Sequence, residues 1–404
     1  MSQQLSSEYL VKLAHEFGTP LYVYHAERIK EQYDKLQSAF KDCNARFFYA
    51  CKALSNINIL RYIESIGASL DCVSINEVKL GLKAGFPPER ILFTPNCVDF
   101  EEIEEGKDAG VSINIDSISI LEKFGTRYGN SYPICIRFNP HIMGGGNYKI
   151  STGHIDSKFG ISIHQMRHIE RIVKSTNLWV RGIHMHTGSD IKDVNVFLQG
   201  LEVMFDLAQH FPQLEFVDLG SGFKVPYQEG DVQTDINLLG QKVTEAFKTY
   251  EKENNKRIEV WFEPGKYLVS ESGYFVVKAN VIKQTTATVF VGVNSGFNHL
   301  IRPMFYDSYH RIENLSNLHA SERIYTVVGN ICETDTFAWD RQLTEVREGD
   351  YLVFYNAGAY GFEMSSNFNS RLKPAEVLIK DGKALLIRKR DEFEDLLKNQ
   401  IEVL

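Results

Sequence analysis

The stretch ARFFYACKA, residues 45–53, is a short and mostly apolar run that ends beside a lysine, Lys52. Seven further runs of this kind follow: ASLDCVSI at 68–75, ILFTPN at 91–96, VSINIDS at 111–117, YPICIRFNP at 132–140, WVRGIHMHTG at 179–188, LEFVDLGSG at 214–222 and IEVWFEPG at 258–265. Near-continuous apolar runs are typical of strands that are buried on both faces, as in a parallel sheet. We therefore predict eight parallel strands.

Segments with helical periodicity separate these runs. In residues 55–66, Ile57, Leu60 and Ile63 recur every three residues and form an apolar stripe. Similar segments, several of which follow a capping Ser, Asp or Asn, lie at 76–84, 100–109, 118–128, 164–174, 193–209 and 237–252. Eight β–α units over about 220 residues predict a (β/α)8 TIM barrel. A doubly wound open sheet is the alternative, but the glycine fingerprint of dinucleotide-binding folds is missing after the first strand.

Beyond residue 265 the pattern changes to short strands joined by turns. Strand-like runs lie at 274–283, 288–294, 323–329, 351–355, 376–380 and 384–388, and a helical segment follows only at 391–399. This order predicts a C-terminal all-β domain, a sandwich or small barrel, with a hinge near residues 266–273.

Composition excludes several classes of protein. The chain has 404 residues, of which 43% are hydrophobic and 24% charged, so it is neither disordered nor fibrous. A net charge of −8 without a concentrated basic face argues against nucleic-acid binding. The six cysteines form no CxxC pair, which favours reduced thiols. Neither a signal peptide nor an apolar run of the ~18 residues needed for a membrane helix is found, so we expect a cytoplasmic protein without membrane contacts.

Polar residues at the ends of the predicted strands are candidates for the active site, because barrels of this kind carry their chemistry there. Lys52 is either a nucleophile activated by its apolar surroundings or an exposed lysine just past the strand. Ser189 and the turn at residues 220–222 either donate hydrogen bonds to a phosphate or are ordinary tight turns. Glu263 ends an apolar run, so its carboxylate needs a strong partner, either a protonated pyridine nitrogen or a salt bridge.

His184 and His186 are two residues apart, so their side chains lie on the same side of a strand. A metal-dependent hydrolase would use such a pair, but it would need further His and Asp ligands from other strands. The neighbouring strand ends offer Lys52 and Glu263 instead. We therefore predict no metal site, and we favour His186 as a flat ring against an aromatic cofactor. For His184 a hydrogen-bonded core histidine is the alternative.

Three further clusters lie in the predicted all-β domain. Cys332 and Glu333 follow a strand, Tyr360 lies in a glycine-rich turn, and Arg302 and Tyr306 are one helical turn apart. Each of these could also be a plain surface loop.

Together, these residues resemble the fold-type III pyridoxal-phosphate decarboxylases, which combine an alanine-racemase-like barrel with a β-domain. The family patterns YAxKA, SKFGI, HxGS, EPG, CE and GAY stand here at residues 49–53, 157–161, 186–189, 263–265, 332–333 and 358–360. The likeness covers nearly the whole chain, and it implies a barrel domain over 27–268 and a β-domain built from 1–26 and 269–404.

The resemblance implies a role for each of the candidate residues. Lys52 would hold pyridoxal 5'-phosphate covalently, and Cys332 would be the catalytic acid. The other cofactor-binding residues would be His186, Ser189, Gly222, Glu263, Gly265, Lys266 and Tyr360. The substrate-binding residues would be Lys266, Arg302, Tyr306, Glu333 and Tyr360. Cys332 and Glu333 would reach the active site of a second subunit, so that the sites form only in a homodimer.

The resemblance further implies decarboxylation of meso-2,6-diaminopimelate to L-lysine and CO2. Arg302 and Tyr306 favour this substrate over ornithine, because an arginine suits a distal carboxylate better than an amine. Another decarboxylase of the family, acting on ornithine, arginine or carboxynorspermidine, is the alternative, as is a non-catalytic pyridoxal-phosphate-binding homologue. An alanine racemase would need a tyrosine base in place of Cys332.

Three departures from the family pattern stand out. Lys266 replaces the arginine that usually follows EPG, which removes a planar two-pronged donor. The three-glycine turn reads Gly220-Ser221-Gly222, which is tolerable if the φ of Ser221 is negative. The usual CESGD reads CETDT, so that the aspartate, Asp335, is shifted by one place.

Overall fold

The computed structural model describes residues 4–142 and 157–404. Its strands are β1 (Leu21–His25), β2 (Ala45–Ala50), β3 (Ser69–Cys72), β4 (Ile91–Phe93), β5 (Ser112–Ile115), β6 (Ile134–Asn139), β7 (Ile161–Ser162), β8 (Val180–Met185), β9 (Phe216–Asp218), β10 (Glu259–Phe262), β11 (Gly273–Gln284), β12 (Val289–Val293), β13 (Ile312–Asn314), β14 (Glu322–Val328), β15 (Thr336–Thr344), β16 (Tyr351–Phe354), β17 (Ala375–Lys380) and β18 (Lys383–Arg388).

The α-helices are α1 (Ser7–Phe17), α2 (Ala26–Ala39), α3 (Ile57–Ser65), α4 (Ile75–Ala84), α5 (Phe100–Asp108), α6 (Ile118–Tyr128), α7 (Met166–Thr176), α8 (Val194–Ala208), α9 (Ile236–Asn254), α10 (Lys266–Val269), α11 (Arg302–Tyr306) and α12 (Phe393–Leu397). Among the described residues, no helix combines the length and the apolar character that crossing a bilayer requires.

The chain divides into two compact units. The barrel unit consists of Gln32–Val225 and Val232–Leu268, and the sheet unit consists of Met1–Glu31, Pro226–Asp231 and Val269–Leu404. The domain limits inferred from the resemblance, 27–268 and 1–26 with 269–404, remain a proposal.

The barrel unit is a closed ring of eight parallel strands, β2-β3-β4-β5-β6-β8-β9-β10, in which β10 pairs with β2. The pairing of β5 with β6 completes the ring. The predicted (β/α)8 barrel is therefore confirmed, and the open-sheet alternative is wrong. Each of the eight strands lies within one of the apolar runs predicted from the sequence.

Large side chains fill the interior of the barrel. Phe48, Leu92, Cys135, Phe216 and Trp261, each from a different strand, form one buried cluster. The rings of Phe216 and Trp261 stack with their centroids 3.4 Å apart. Because the centre is a packed core, polar groups that act on a ligand are expected at the carboxyl ends of the strands.

Side-chain caps start the helices that follow the strands. The side chains of Ser74, Asp99, Ser117 and Asp193 accept backbone N–H groups at the first turns of α4, α5, α6 and α8. These bonds satisfy donors that a helix terminus otherwise leaves open, so each cap fixes where a helix begins. Capping by Ser, Asp or Asn was predicted from the sequence and is confirmed.

The sheet unit is built on nine strands in the order β15-β14-β12-β11-β1-β17-β18, with β16 paired to both β11 and β13. Strand β1, from the N-terminal segment, runs antiparallel to β11 and parallel to β17. Helix α1 packs Leu10 and Leu13 into the same buried cluster as Val23 and Val276. The predicted all-β region is confirmed, although β1, β13, β15, α1 and α11 were not predicted from the sequence.

Candidate active site

Lys52 lies just beyond the carboxyl end of β2, on the single helical turn Cys51–Ala53. The residues on either side of it are buried, but Lys52 itself is exposed. Of the two alternatives left open by the sequence, the structure supports a lysine that lies just past the strand, because β2 ends two residues earlier. The ammonium group interacts electrostatically with the carboxyls of Asp71 and Glu263.

Glu263 follows β10 directly and is 8% exposed. Its Oε2 atom lies 3.3 Å from Nε2 of His184, while its Oε1 atom has no hydrogen-bond partner among the described residues. Burial alone would raise the pKa of Glu263, but His184 and Lys52 outweigh that effect and lower it to about 2. A buried, ionised carboxylate with an oxygen that lacks a donor is suited to pair with a protonated ring nitrogen.

His184 is completely buried on β8, and its Nδ1 atom lies 2.7 Å from Nδ2 of Asn114. Because the amide of Asn114 can only donate there, Nδ1 is the acceptor and Nε2 carries the proton that faces Glu263. Burial lowers the pKa of His184, which keeps the ring neutral. Asn114, on β5, was not singled out from the sequence, since its partner lies on another strand.

A second carboxyl, Asp218, lies beside Glu263 at the end of β9. The ligand atoms of His184, Asp218 and Glu263 all lie within 4.8 Å of one another, a grouping that could hold a metal ion. Burial and the charge of Glu263 raise the pKa values of Asp218 and Asp71 well above their usual range. The absence of a metal stays a prediction.

His186 lies one residue past β8 and is half-buried. Its Nδ1 atom accepts a hydrogen bond from the backbone N–H of Ser221 at 3.3 Å. Burial, followed by the charges of Arg137 and Lys52, lowers the pKa of His186 to about 3. The residue therefore offers a flat, neutral ring of fixed orientation.

The turn at residues 220–222 brings backbone close to the end of β8. Gly222 has a φ of +104°, and a Cβ atom there would lie 2.2 Å from the carbonyl oxygen of Gly188. Only glycine fits this approach. Ser221 is not among the residues of positive φ, so the serine is accommodated in the way the sequence required. The half-buried Ser189 follows Gly188.

Lys266 is the first residue of α10, directly after the buried Gly265. Its ammonium forms an ion pair with Asp190, and the two side chains are 10% and 23% exposed. Asp190 was not identified from the sequence, although it directly follows the HxGS pattern. The partner of Lys266 is thus a group of the protein itself, and its contact with a cofactor or substrate stays a prediction.

In the sheet unit, Arg302 on α11 is 7% exposed. Its guanidinium carbon lies 5.7, 5.9 and 5.8 Å from the ring centres of Tyr227, Tyr306 and Tyr360. The structure therefore brings together three residues predicted to act on the substrate, and it adds Tyr227, which the sequence analysis missed. Cys332 and Glu333, the predicted catalytic acid and a predicted substrate-binding residue of the same unit, are both exposed on one loop.

The barrel residues fit the cofactor expected from the sequence, pyridoxal phosphate. Glu263 offers a buried oxygen without a donor, His186 offers a neutral ring, and Gly222 permits the close backbone approach that a phosphate needs.

Comparisons with known proteins agree with this geometry. Residues 26–270 match the family described as "Pyridoxal-dependent decarboxylase, pyridoxal binding domain". The diaminopimelate decarboxylase of Methanothermobacter thermautotrophicus is 40% identical, with 96% of this chain and 93% of that protein covered. The enzyme of the same name from Aquifex aeolicus is 33% identical, with 98% and 94% covered.

A solved structure of diaminopimelate decarboxylase from Helicobacter pylori, complexed with L-lysine, superposes with a TM-score of 0.88 at 30% identity. The superposition covers 96% of this chain and 98% of the Helicobacter pylori chain. Likeness of this extent spans both units. The chain therefore belongs to the pyridoxal-dependent decarboxylases, and within them to the diaminopimelate decarboxylase family.

Proposed function

We propose that this chain catalyses the pyridoxal-phosphate-dependent decarboxylation of meso-2,6-diaminopimelate to L-lysine and CO2. The names of its relatives and the L-lysine held by the Helicobacter pylori enzyme support this assignment. Within the chain itself, the observation that carries the proposal is the environment of Arg302.

Arg302 is a buried cation in need of an anion. A guanidinium stays charged in proteins, and burying it without a counter-charge costs several kcal/mol. The three tyrosine rings compensate part of that cost, but no carboxylate pairs with Arg302 in the ranges 4–142 and 157–404, and its Nε atom lacks a partner there. The distal carboxylate of diaminopimelate supplies the anion. Ornithine and arginine end in a cation, which Arg302 repels.

Pyridoxal 5'-phosphate would be held in the barrel unit by Lys52 through its amine, by Glu263 at the ring nitrogen and by His186 against the ring face. Its phosphate would contact the turn residues and one tyrosine: Ser189, Gly222, Gly265, Lys266 and Tyr360. When bound, the cofactor takes up the electron pair of the bond that breaks between the substrate Cα and its carboxylate.

Side chains of the protein hold the proton on the cofactor ring, bind the substrate and donate the proton to Cα. The ionised Glu263 holds a proton at the ring nitrogen by accepting its hydrogen bond, because its Oε1 atom has no competing donor. Arg302, Tyr306 and Glu333 bind the distal end of the substrate, which fixes the reacting end in place. Cys332 donates a proton to Cα after CO2 leaves, a contribution of roughly 10²–10⁴-fold for a general acid.

The sheet unit would complete the active site across a homodimer interface. Cys332 and Glu333 support this arrangement, since both are exposed on the same loop and are free to meet a second subunit. The cytoplasmic location inferred from the sequence stays a prediction.

The test is to incubate the purified holoenzyme separately with meso-diaminopimelate, ornithine and arginine, and to measure the release of CO2. We expect release from meso-diaminopimelate alone, and none from it with Lys52→Ala. Because Lys52 is exposed, that variant should fold normally, which circular dichroism checks. Release from ornithine or arginine in place of meso-diaminopimelate refutes the assignment.

The variant Arg302→Gln tests whether Arg302 binds the distal carboxylate of the substrate. Loss of a charge-assisted pair predicts a KM for meso-diaminopimelate raised roughly 10- to 100-fold, with a smaller change in kcat. The matched control is Arg311→Gln, which removes an arginine that lies 3.8 Å over the ring of Tyr355 and is paired with Glu313. This control should leave KM unchanged, and equal effects from the two variants would remove Arg302 from the substrate site.

A further inference from the structure

The loop that carries Cys332 is rigidly built. We call residues 330–335 the thiol loop. The carboxylate of Asp335, which is 5% exposed, accepts backbone N–H groups from Ile331 at 3.0 Å and from Phe297 at 2.7 Å. The backbone N–H of Gly329 donates to the carbonyl of Asp335 at 2.7 Å. The aspartate that is displaced by one place from the family pattern therefore closes this loop, and Cys332 projects from its exposed side.

The Cys332 thiol is within hydrogen-bonding distance of the Asn369 side chain. The Sγ atom lies 3.2 Å from Nδ2 and 3.6 Å from Oδ1 of Asn369. Both distances are within hydrogen-bonding range for sulfur, and the donor Nδ2 is the nearer atom. Among the described residues, the amide of Asn369 bonds to no group other than this sulfur.

The backbone that presents Asn369 has an uncommon conformation. Asn369 has φ +57° and Ser370 has φ +55°, so two successive non-glycine residues adopt the left-handed region. Asparagine tolerates this region better than most residues, but serine has no such preference. Strain of this kind persists only where the surroundings fix it, and it concentrates at functional sites.

Several contacts tie this strained turn to the thiol loop and its support. The Arg371 guanidinium donates to the carbonyl of Asn330 at 3.3 Å. The rings of Phe368 and Phe297 lie 5.7 Å apart, and Phe297 itself donates to Asp335. The distance between Asn369 and Cys332 is therefore set by both loops and does not depend on the two side chains alone.

We propose that Asn369 is a positioning residue that holds the Cys332 sulfur through an Nδ2–H···Sγ hydrogen bond during proton transfer. The bond uses a sulfur lone pair, which leaves the S–H directed toward the substrate. When the S–H bond breaks, its proton forms the new C–H bond with the electron pair left at Cα by the loss of CO2. The sulfur keeps the S–H electrons as a thiolate, which the Asn369 amide stabilises until solvent returns a proton. This role rests on the function proposed above.

The first test measures the thiol itself and needs no substrate. Of the six cysteines, only Cys97 and Cys332 are exposed, so Cys332 is the one exposed thiol that iodoacetamide meets in a Cys97→Ser background. The rate of alkylation of the holoenzyme is measured against pH. We expect Asn369→Ala to move the midpoint of this profile to higher pH by about one unit, since hydrogen bonds to charged groups are worth about a factor of ten or more. Asn369→Asp should move it further, because a carboxylate repels the thiolate.

The second measurement is steady-state decarboxylation of meso-diaminopimelate. Asn369→Ala should lower kcat about tenfold with KM within twofold, and Asn369→Gln should recover part of the loss. The matched control is Asn367→Ala. Asn367 lies in the same turn as Asn369, but its amide donates to the carbonyl of Arg371 and to the carboxylate of Asp391 and forms no bond with the sulfur. That control should leave the alkylation midpoint where it is.

An unchanged midpoint in Asn369→Ala, or an equal shift in Asn367→Ala, overturns the proposal. A shifted midpoint with unaltered kcat removes Asn369 from the reaction. If the unmodified enzyme releases no CO2 from meso-diaminopimelate while the midpoint still shifts, the proposed substrate fails and the thiol contact stands.

Discussion

Substituting alanine for Gly222 tests the tight approach of two turns at the candidate phosphate site. An alanine at φ +104° pays a conformational cost of about 1–2 kcal/mol. Its Cβ would also lie 2.2 Å from the Gly188 carbonyl oxygen, which is shorter than an ordinary non-bonded contact by more than about 1 Å. Because the obstructing atom belongs to the backbone, relief requires a turn to move, at about 1–3 kcal/mol for overpacking. The sum is a loss of about 2–5 kcal/mol in the free energy of unfolding.

The matched control is Gly85→Ala in the same unit. Gly85 has a nearly equal φ of +109°, but a Cβ atom there meets nothing within 4 Å. This variant should therefore lose only the conformational cost, about 1–2 kcal/mol. Both variants are unfolded in urea at the same cofactor concentration, with circular dichroism as the signal. Cofactor retained after gel filtration is the second measurement.

We expect Gly222→Ala to be the less stable variant and to lose cofactor, while Gly85→Ala retains it. Equal losses of stability together with equal cofactor retention would refute the reasoning, since the close approach to Gly188 would then have no consequence.

Two further predictions concern charged and titrating groups. Asp190→Asn should lower the free energy of unfolding by about 1–3 kcal/mol, because it leaves the mostly buried charge of Lys266 without its partner. Adding Lys266→Gln should recover part of that loss in urea unfolding, and strictly additive effects would show that the pair is not coupled. Burial lowers the pKa of His310 to about 3, so below pH of about 6.5 the unfolded chain binds a proton that the folded chain does not. Stability should therefore fall as pH drops from 6.5 toward 4, by at most about 1.4 kcal/mol per pH unit from this group. His310→Asn should flatten that slope, and equal slopes would contradict the assignment.

The barrel could be predicted from the sequence because its strands carry their signal locally. A strand buried on both faces is apolar throughout, as in β4, so no knowledge of its neighbours is needed. The strands of the sheet unit are less uniform. β13 has three residues, and the burial of β15 does not alternate because its pairing with β14 contains register shifts. A pattern of period two cannot detect such strands.

Candidate site residues at the strand ends could also be named from the sequence, but the partners that the structure gives them could not. His184 meets Asn114 across 70 residues, Lys266 meets Asp190 across 76, and Cys332 meets Asn369 across 37. Sequence spacing carries no information on such pairs, since the closure of the barrel and the turns between strands bring them together. The sequence could not decide between a buried and an exposed Lys52 for a related reason, because two residues decide whether a side chain lies inside a strand or past its end.

Strand β1 has a consequence for how the newly made chain folds. It leaves the ribosome early, yet its partners β11 and β17 begin at Gly273 and Ala375. At about 5–20 residues per second, synthesis of the roughly 350 intervening residues takes roughly 20 to 70 s. The barrel strands are all complete before then. Until β11 is made, both hydrogen-bonding edges of β1 are unsatisfied, and the edge that pairs with β17 stays open for the whole interval, so chaperones or neighbouring polypeptides on the same polysome can reach it.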